Sequence, residues 1–176
     1  MFGWMESHLL LLGVGVFALV AAVAVWRGVF AGYGQRLFEP SVLSAKEQAI
    51  LSACADALFP HGGPLPLSGT EAGVLPFFDS MLRQLPKQNR LLIRALLLLL
   101  EHGPWVVNRR ARLTRQAPEV RVDTLRSWSE SRHYLLRTAF IGIRALLTMA
   151  YLENHDVATR VGHLPNRDPF ARTVTA

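Results

Sequence analysis

The feature that most constrains this chain is an uncharged apolar run from Leu9 to Trp26. A helix rises about 1.5 Å per residue, so this run would span roughly 27 Å, close to the thickness of a bilayer core. Trp4 and Trp26 flank the run, and tryptophan favours the membrane interface. The run predicts a transmembrane anchor over residues 1–30, with Leu9, Phe17 and Trp26 among its membrane-facing residues.

A cleaved signal peptide is the alternative interpretation of this segment. Val29-Phe30-Ala31 has the form of a cleavage site, but Glu6 is the only charged side chain ahead of the run, where a signal peptide carries basic residues. Arg27 and Arg36 follow the run, and no Lys or Arg precedes it. The positive-inside rule then predicts a single-pass protein of the bacterial inner membrane with its domain in the cytoplasm. A periplasmic domain is the alternative orientation.

The composition agrees with a membrane protein or a protein with a large interface. Hydrophobic residues make up 51% of the chain and charged residues 18%, which is apolar for a soluble domain. The net charge of +6 fits an anionic membrane surface, whereas no recognition module for nucleic acid is visible. Cys54 is the only cysteine, which excludes an intramolecular disulfide and Cys-pair metal sites within this chain. We interpret Cys54 as a small core residue.

Helix signals dominate the rest of the chain after a linker over residues 31–42. Ser44-Ala45-Lys46-Glu47 has the form of a capping box and predicts a helix to about Phe59. Pro60 and the following glycines predict a loop. Ser68-Gly69-Thr70-Glu71 repeats the capping pattern ahead of a second helix that contains Phe77 and Phe78.

Three further helices are predicted downstream. Pro86 begins a helix that ends near Gly103-Pro104, and residues 118–131 and 132–153 have the apolar spacing of two more. The tail after Asn154 is expected to be mostly irregular. The sequence therefore predicts an all-α fold: one N-terminal transmembrane helix, a compact domain of four or five helices over residues 43–165, and an irregular tail over 166–176. The core residues predicted for the last three helices are Leu91, Leu92, Ala95, Leu98, Leu99, Leu125, Trp128, Leu135, Leu136, Phe140, Ile143, Leu146, Leu147 and Tyr151.

The sequence has no motif that predicts a catalytic, cofactor-binding or metal-ligating residue in this chain. Glu130 and His133 have the E-x-x-H spacing, but a di-iron bundle needs two such motifs and two further carboxylates. No phosphate-binding loop or nucleophile elbow is present. The arginines of residues 106–116 are expected to form a solvated connector, with a contact to lipid phosphates as the alternative.

Several motifs together resemble the gluconate 2-dehydrogenase subunit 3 family, the small subunits of membrane-associated flavin dehydrogenases. "LSAKE" and "ADALFP" are followed by "AGVLPFFD", and residues 125–157 resemble the C-terminal half of that family. The matching positions in the first half are Leu43, Ser44, Glu47, Ala55, Asp56, Phe59, Pro60, Ala72, Gly73, Val74, Phe78 and Asp79.

The resemblance implies a non-catalytic accessory subunit without a cofactor of its own. In that family, a large GMC-type oxidoreductase carries FAD and often passes electrons to a cytochrome. This chain departs from the family because it has an apolar anchor and no twin-arginine export signal. The expected role is to dock and tether such a partner; the alternatives are a structural subunit of another energy-transducing membrane complex and a stand-alone enzyme.

The segment from Pro60 to Asp79 is the predicted docking element. Its loop offers backbone groups to a partner, and one of its two phenylalanines is expected to face the core while the other faces the partner. Glu71 is expected to fix the start of the second helix. The alternative is a plain interhelical loop with both rings in the core. The predicted partner-binding residues are Asp56, Pro60, Glu71, Gly73, Phe77, Phe78 and Asp79.

The anchor prediction can be tested by placing a charge in the apolar run. Val16→Arg should make membrane insertion less favourable by about 2.5–3.5 kcal/mol, because a guanidinium at the centre of a span has to leave water. Insertion is measured as the fraction of chains that resist alkaline extraction from membranes, with Val16→Leu as the control. Recovery of a mature protein that begins near Gly32 would contradict the anchor.

Overall fold

The computed structural model describes residues 19–20, 23, 32–37, 39, 42–106 and 111–162. These residues contain six α-helices and one short 3₁₀ helix, with no strand among them, so the predicted all-α class is confirmed. The helices are α1 (Ala45–Leu58), α2 (Val74–Gln84), α3 (Lys87–Val106), α4 (Pro118–Ser129), α5 (Tyr134–Leu152) and α6 (His155–Arg160), and the 3₁₀ helix is Leu113–Arg115.

The chain divides into two compact units, residues 1–35 and 36–176. In the first unit, Leu19, Val20 and Val23 are helical and exposed. The predicted membrane-facing residues Leu9, Phe17 and Trp26 lie outside the described residues, so the N-terminal anchor stays a prediction. All six helices named above belong to the second unit.

Helix α1 is the centre of the helical domain. Its capping box is formed as predicted: the Ser44 hydroxyl accepts the Glu47 N–H at 3.3 Å, and the Glu47 carboxylate accepts the Ser44 N–H at 2.7 Å. Ile50, Leu51 and Cys54 are fully buried, which confirms the predicted inner face of α1. The helix packs against α2, α3, α4 and the 3₁₀ helix, so most of the core is arranged around it.

Helix α3 differs from its prediction in both its end and its inner face. It continues through Gly103-Pro104 to Val106. Gly103 does not end the helix but lies buried against the Trp128 ring, where a side chain would not fit. Its buried leucines are Leu97 and Leu100. The residues predicted to lie in the core turn the other way: Leu91, Leu92, Ala95 and Leu98 are exposed, and Leu99 is partly buried. The leucines of α3 itself point in all directions around the helix axis, so the spacing of its apolar residues could not identify its inner face.

Helix α5 carries the longest stretch of core contacts. Seven of its residues are buried, among them the predicted Phe140, Ile143 and Leu147. Leu135 was also predicted to lie in the core but is exposed. By length and composition alone, α5 is the one helix in the described part of the chain that could cross a membrane.

The segment after Asn154 is more regular than predicted. The Asn154 side chain accepts the backbone N–H groups of Asp156 and Val157 at 3.0 and 3.3 Å, which is an N-cap geometry. The short helix α6 follows, and Val157 packs into a second apolar cluster with Tyr151. Residues 163–176 lie outside the described part of the chain.

A buried ion pair holds the connector between α3 and α4. Arg112 and Glu101 are both buried, with 3.6 Å between the Arg112 Nε and a Glu101 carboxylate oxygen. The same carboxylate accepts the Thr114 N–H at 3.1 Å and the Thr114 hydroxyl at 2.7 Å. Arg112 was predicted to be solvated, and this prediction is wrong because its charge is needed to neutralise a buried acid.

The close contact between Gly69 and α1 can be tested directly. A Cβ on Gly69 would lie 2.5 Å from the Ala55 carbonyl carbon, which is backbone and cannot move aside. Gly69→Ala should therefore lower the free energy of unfolding by about 1–3 kcal/mol, measured by chemical denaturation of the detergent-solubilised full chain.

Gly142→Ala is the matched control for this substitution. Gly142 lies within α5, and its added Cβ would meet only a Leu96 methyl at 3.9 Å. This change should raise the stability by up to about 1 kcal/mol, because alanine favours the helix. Equal stability of the two variants would contradict the packing of residue 69 against α1.

Candidate docking site

The loop from Pro60 to Gly73 is fixed to the end of α1 by the Asp56 carboxylate. One Asp56 oxygen accepts the Thr70 N–H and the other accepts the Thr70 hydroxyl, both at 2.9 Å. The Ser52 hydroxyl lies 2.6 Å from the same Thr70 hydroxyl oxygen, and the Gly69 N–H donates to the Phe59 carbonyl at 2.9 Å. Asp56 was predicted to bind a partner, but both of its oxygens are engaged within the domain.

The end of α5 and the N-cap residue of α6 hold the other side of the loop. The Tyr151 hydroxyl donates to the Leu67 carbonyl at 2.6 Å, and the Asn154 amide donates to the Ala72 carbonyl at 3.2 Å. The Tyr151 ring also stacks on Phe59, with centroids 4.0 Å apart and planes nearly parallel. Sequence reasoning missed this role of Tyr151 and Asn154. The Asn-x-Asp form of a helix N-cap was the one local signal that pointed to Asn154.

The second predicted capping box closes a turn inside the loop and does not begin a helix. The Glu71 carboxylate accepts the Ser68 N–H at 2.8 Å, and the Glu71 N–H donates to the Ser68 hydroxyl at 3.3 Å. Helix α2 begins only at Val74, so the prediction that Glu71 fixes the helix start is wrong. The intervening Gly73 has a φ of 88°, and this left-handed conformation favours glycine.

The Ser68 N–H lowers the pKa of the Glu71 carboxyl below its usual range, and the side chains of His61 and Ser68 act in the same direction. The His61 ring nitrogen Nδ1 lies 3.3 Å from a Glu71 oxygen. Glu71 is solvent-exposed, as are Pro60 and His61. His61 and Glu71 therefore present polar groups on the exposed side of this loop, next to the exposed Pro60.

The two phenylalanines of α2 have different environments. Phe78 has no exposed surface and belongs to the core, so it offers nothing to a partner in this conformation. Phe77 is partly buried, packs edge-on against Phe78 with centroids 6.0 Å apart, and borders an open hollow between α2 and α5. Of the two rings predicted to divide between core and partner, Phe77 is the one that retains a surface.

Asp79 is a structural residue of the domain and not a surface acid. It is 3% exposed, and one of its oxygens accepts the Val42 N–H. Its other oxygen accepts from the Arg83 side chain at 2.8 Å. These bonds attach the segment ahead of α1 to α2, and the burial leaves Asp79 no surface for the partner contact that was predicted for it.

An open groove of about 500 Å³ lies between the end of α1, α4 and α5. Phe59, Leu125 and Phe140 give it an apolar lining, and Arg126 and Arg144 supply its positive charge. None of the residues that line it is acidic. A smaller hollow beside the loop shares Phe59 with this groove and adds Pro64 and Leu65. The arrangement suits an apolar side chain that is accompanied by a negatively charged group.

The described residues also include potential metal ligands and the single cysteine. Among residues 42–106 and 111–162, no group of three or more His, Cys, Asp or Glu side chains has the arrangement of a metal site. Burial raises the pKa of the Cys54 thiol to about 12, so this cysteine is held in its neutral form. Glu130 and His133, the residues of the single E-x-x-H motif, are both exposed.

No family model, no curated protein and no solved structure matches this chain.

The contribution of Glu71 to stability should depend on pH. Because the folded domain lowers the pKa of Glu71, its ionised form stabilises the fold above the pKa of the unfolded chain. That contribution is lost as the pH falls through the lower, folded value. Wild type should melt at a higher temperature than Glu71→Gln at pH 7, and the difference should vanish in strong acid. A difference that persists unchanged at acid pH would contradict the hydrogen bond from Ser68 to the charged carboxylate.

Proposed function

We propose that this chain is a non-catalytic, membrane-anchored accessory subunit that docks and tethers a large redox partner. The observation that carries the proposal is the ordered loop of residues 60–73, which lies beside an open apolar groove with two arginines. An FAD-dependent GMC-type dehydrogenase is the proposed partner, and a cytochrome is a further candidate component of the complex.

The loop is suited to docking because its conformation is set before a partner arrives. Asp56, Tyr151 and Asn154 each bond to it from a helix or a helix cap. Binding to a preorganised surface avoids the entropic cost of ordering a flexible loop. The exposed prolines of this loop add to the effect, since proline restricts the backbone in the free state as well.

The groove supplies the contacts that a specific interface needs. Phe59 and Phe140 line it, and aromatic pockets of this kind hold the side chains that carry most of an interface's binding energy. Arg144 would pair with an acidic residue of the partner, and Arg126, which lies 3.9 Å from an Asp123 oxygen, adds positive charge. The fitting segment of the partner therefore carries an apolar side chain next to an Asp or a Glu.

The membrane part of the proposal rests on the apolar run from Leu9 to Trp26, and the identity of the partner rests on the order of the sequence motifs. In this account, the tether keeps the partner at the inner membrane, where it can deliver electrons to a membrane acceptor. The substrate is determined by the partner.

The proposal is tested by purifying the tagged full chain from native membranes in mild detergent. We expect a large flavoprotein to co-purify in a fixed ratio, identified by mass spectrometry and by released FAD. Ala57→Trp should fill the groove from α1 and release the flavoprotein, whereas Ala49→Trp, on the same helix but outside the groove, should not. Phe77→Ala tests the other side of the loop in the same assay. Thermal melts identify any variant that has lost its fold.

Recovery of a complex without flavin would contradict the proposed partner. If the co-purifying proteins belong to an energy-transducing complex, the alternative of a structural subunit in that complex replaces it. Retention of the flavoprotein by folded Ala57→Trp would remove the groove from the interface.

A further inference from the structure

The outer side of α3 carries an apolar stripe that the core does not use. Leu91, Ala95 and Leu98 have the spacing i, i+4 and i+7, which places them on one side of a helix. Leu91 is 65% exposed, the adjacent Leu92 is 69% exposed and Leu98 is 46% exposed. Isolated exposed leucines are common on protein surfaces, but a stripe of them at helical spacing is not.

Helix α5 carries a second stripe of the same kind. Leu135 is 64% exposed, Ile141 is 59% exposed and Met149 is 59% exposed. Tyr134, Thr138 and Ala145 are exposed within the same stripe, and Thr138 is its one polar residue among these. Helix α5 is therefore apolar on two sides, one buried in the core and one open to solvent.

The contact between the two helices shows that the stripes form one surface. Gly142 of α5 faces Leu96 of α3. Successive residues of an α-helix are rotated by about 100° around its axis. Around each helix axis, the core residues therefore lie on one side of the Gly142–Leu96 contact and the exposed stripe lies on the other side. Because both helices turn their buried residues toward the same core, both stripes lie on its outer side. We name this surface the outer face: Leu91, Leu92, Leu98, Leu135, Ile141 and Met149.

The charges of α3 and α5 favour one type of partner for the outer face. The two helices contain five basic residues and a single acid, Glu101, which is buried. The basic residues include Lys87 and Arg137, both exposed. An apolar face accompanied by Lys and Arg, without exposed acids, is the pattern of helices that lie in the interface of an anionic bilayer.

We propose that the outer face lies on the surface of an anionic bilayer. Helix α5 is long and apolar enough to cross a membrane, but its core contacts hold one side against the domain. Contact with the bilayer surface would remove the apolar outer stripe from water while those core contacts stay intact. This inference rests on the membrane association in the proposed function and not on the identity of the redox partner.

The test uses nitroxide labels on the full chain in vesicles. Cys54 is the only native cysteine and is fully buried, so Ile141→Cys introduces a single reactive thiol on the outer face. Glu119→Cys places the control label on the exposed start of α4. In phosphatidylcholine–phosphatidylglycerol vesicles, we expect collisions with oxygen, relative to a water-soluble nickel complex, to rise several-fold at residue 141 and to stay unchanged at residue 119.

Lipid charge provides the second measurement. The rise at residue 141 should be smaller in pure phosphatidylcholine vesicles, and Lys87→Glu combined with Arg137→Glu should remove the difference between the two lipid compositions. Equal values in both lipids with the native charges in place would overturn the role of anionic lipid.

Each remaining outcome separates this inference from the proposed function. Failure of the full chain to float with any vesicle would contradict the membrane anchor of the proposed function. A chain that floats while its label at residue 141 stays as water-accessible as the label at residue 119 would overturn only the outer-face inference. Protection of residue 141 by the co-purified flavoprotein in detergent, and not by vesicles, would assign the outer face to a protein partner and also overturn it.

Discussion

The attachment of residues 60–73 to the end of α1 is the contact on which the rest of the domain depends. The Asp56 carboxylate receives two hydrogen bonds from Thr70, and Gly69 lies so close to Ala55 that no side chain fits. This contact positions Leu67 and Ala72 for their bonds to Tyr151 and Asn154, 84 and 82 residues further along the chain. The attachment to α1 therefore also holds the loop of residues 60–73 against α5 and the start of α6.

The two proposed contacts use different parts of the domain surface. The loop and its groove combine aromatic walls with Arg126 and Arg144, which suits a protein segment that carries an acid. The outer face of α3 and α5 is mostly apolar and lacks exposed acids, which suits a lipid surface. Arg144 lies on the part of α5 between the two. The proposed role, to hold a soluble partner at a membrane, would need both surfaces on different sides of the domain.

Local signals predicted those parts of the fold that depend on neighbouring residues. The capping box at Ser44 and Glu47 correctly marked the start of α1, and the period of its apolar residues correctly gave its inner face. The same reasoning failed for α3, where a run of leucines gives no contrast between the sides of the helix. It also failed for Ser68 and Glu71, whose hydrogen bonds form as predicted but close a turn.

The candidate site depended on contacts that no local pattern contains. The roles of Tyr151 and Asn154 come from pairings across most of the domain. Phe77 and Phe78 are adjacent in sequence, so only the packing of α2 decides which ring is buried. The burial of Asp79 likewise follows from its bond to Val42, 37 residues earlier. The sequence predicts a docking segment, and the tertiary contacts decide which of its residues are buried and which keep a surface.

Hydrogen–deuterium exchange on the full chain, with and without its co-purified partner, tests the docking account most directly. The account predicts slower exchange in the presence of the partner at residues 57–66 and 140–148, which form the loop base and the α5 wall of the groove. In detergent, the exchange rates of the backbone amides at residues 91–98 of α3, which contribute to the outer face, should not change when the partner is present. Protection confined to α3, or no protection at the groove in a stable complex, would contradict the account.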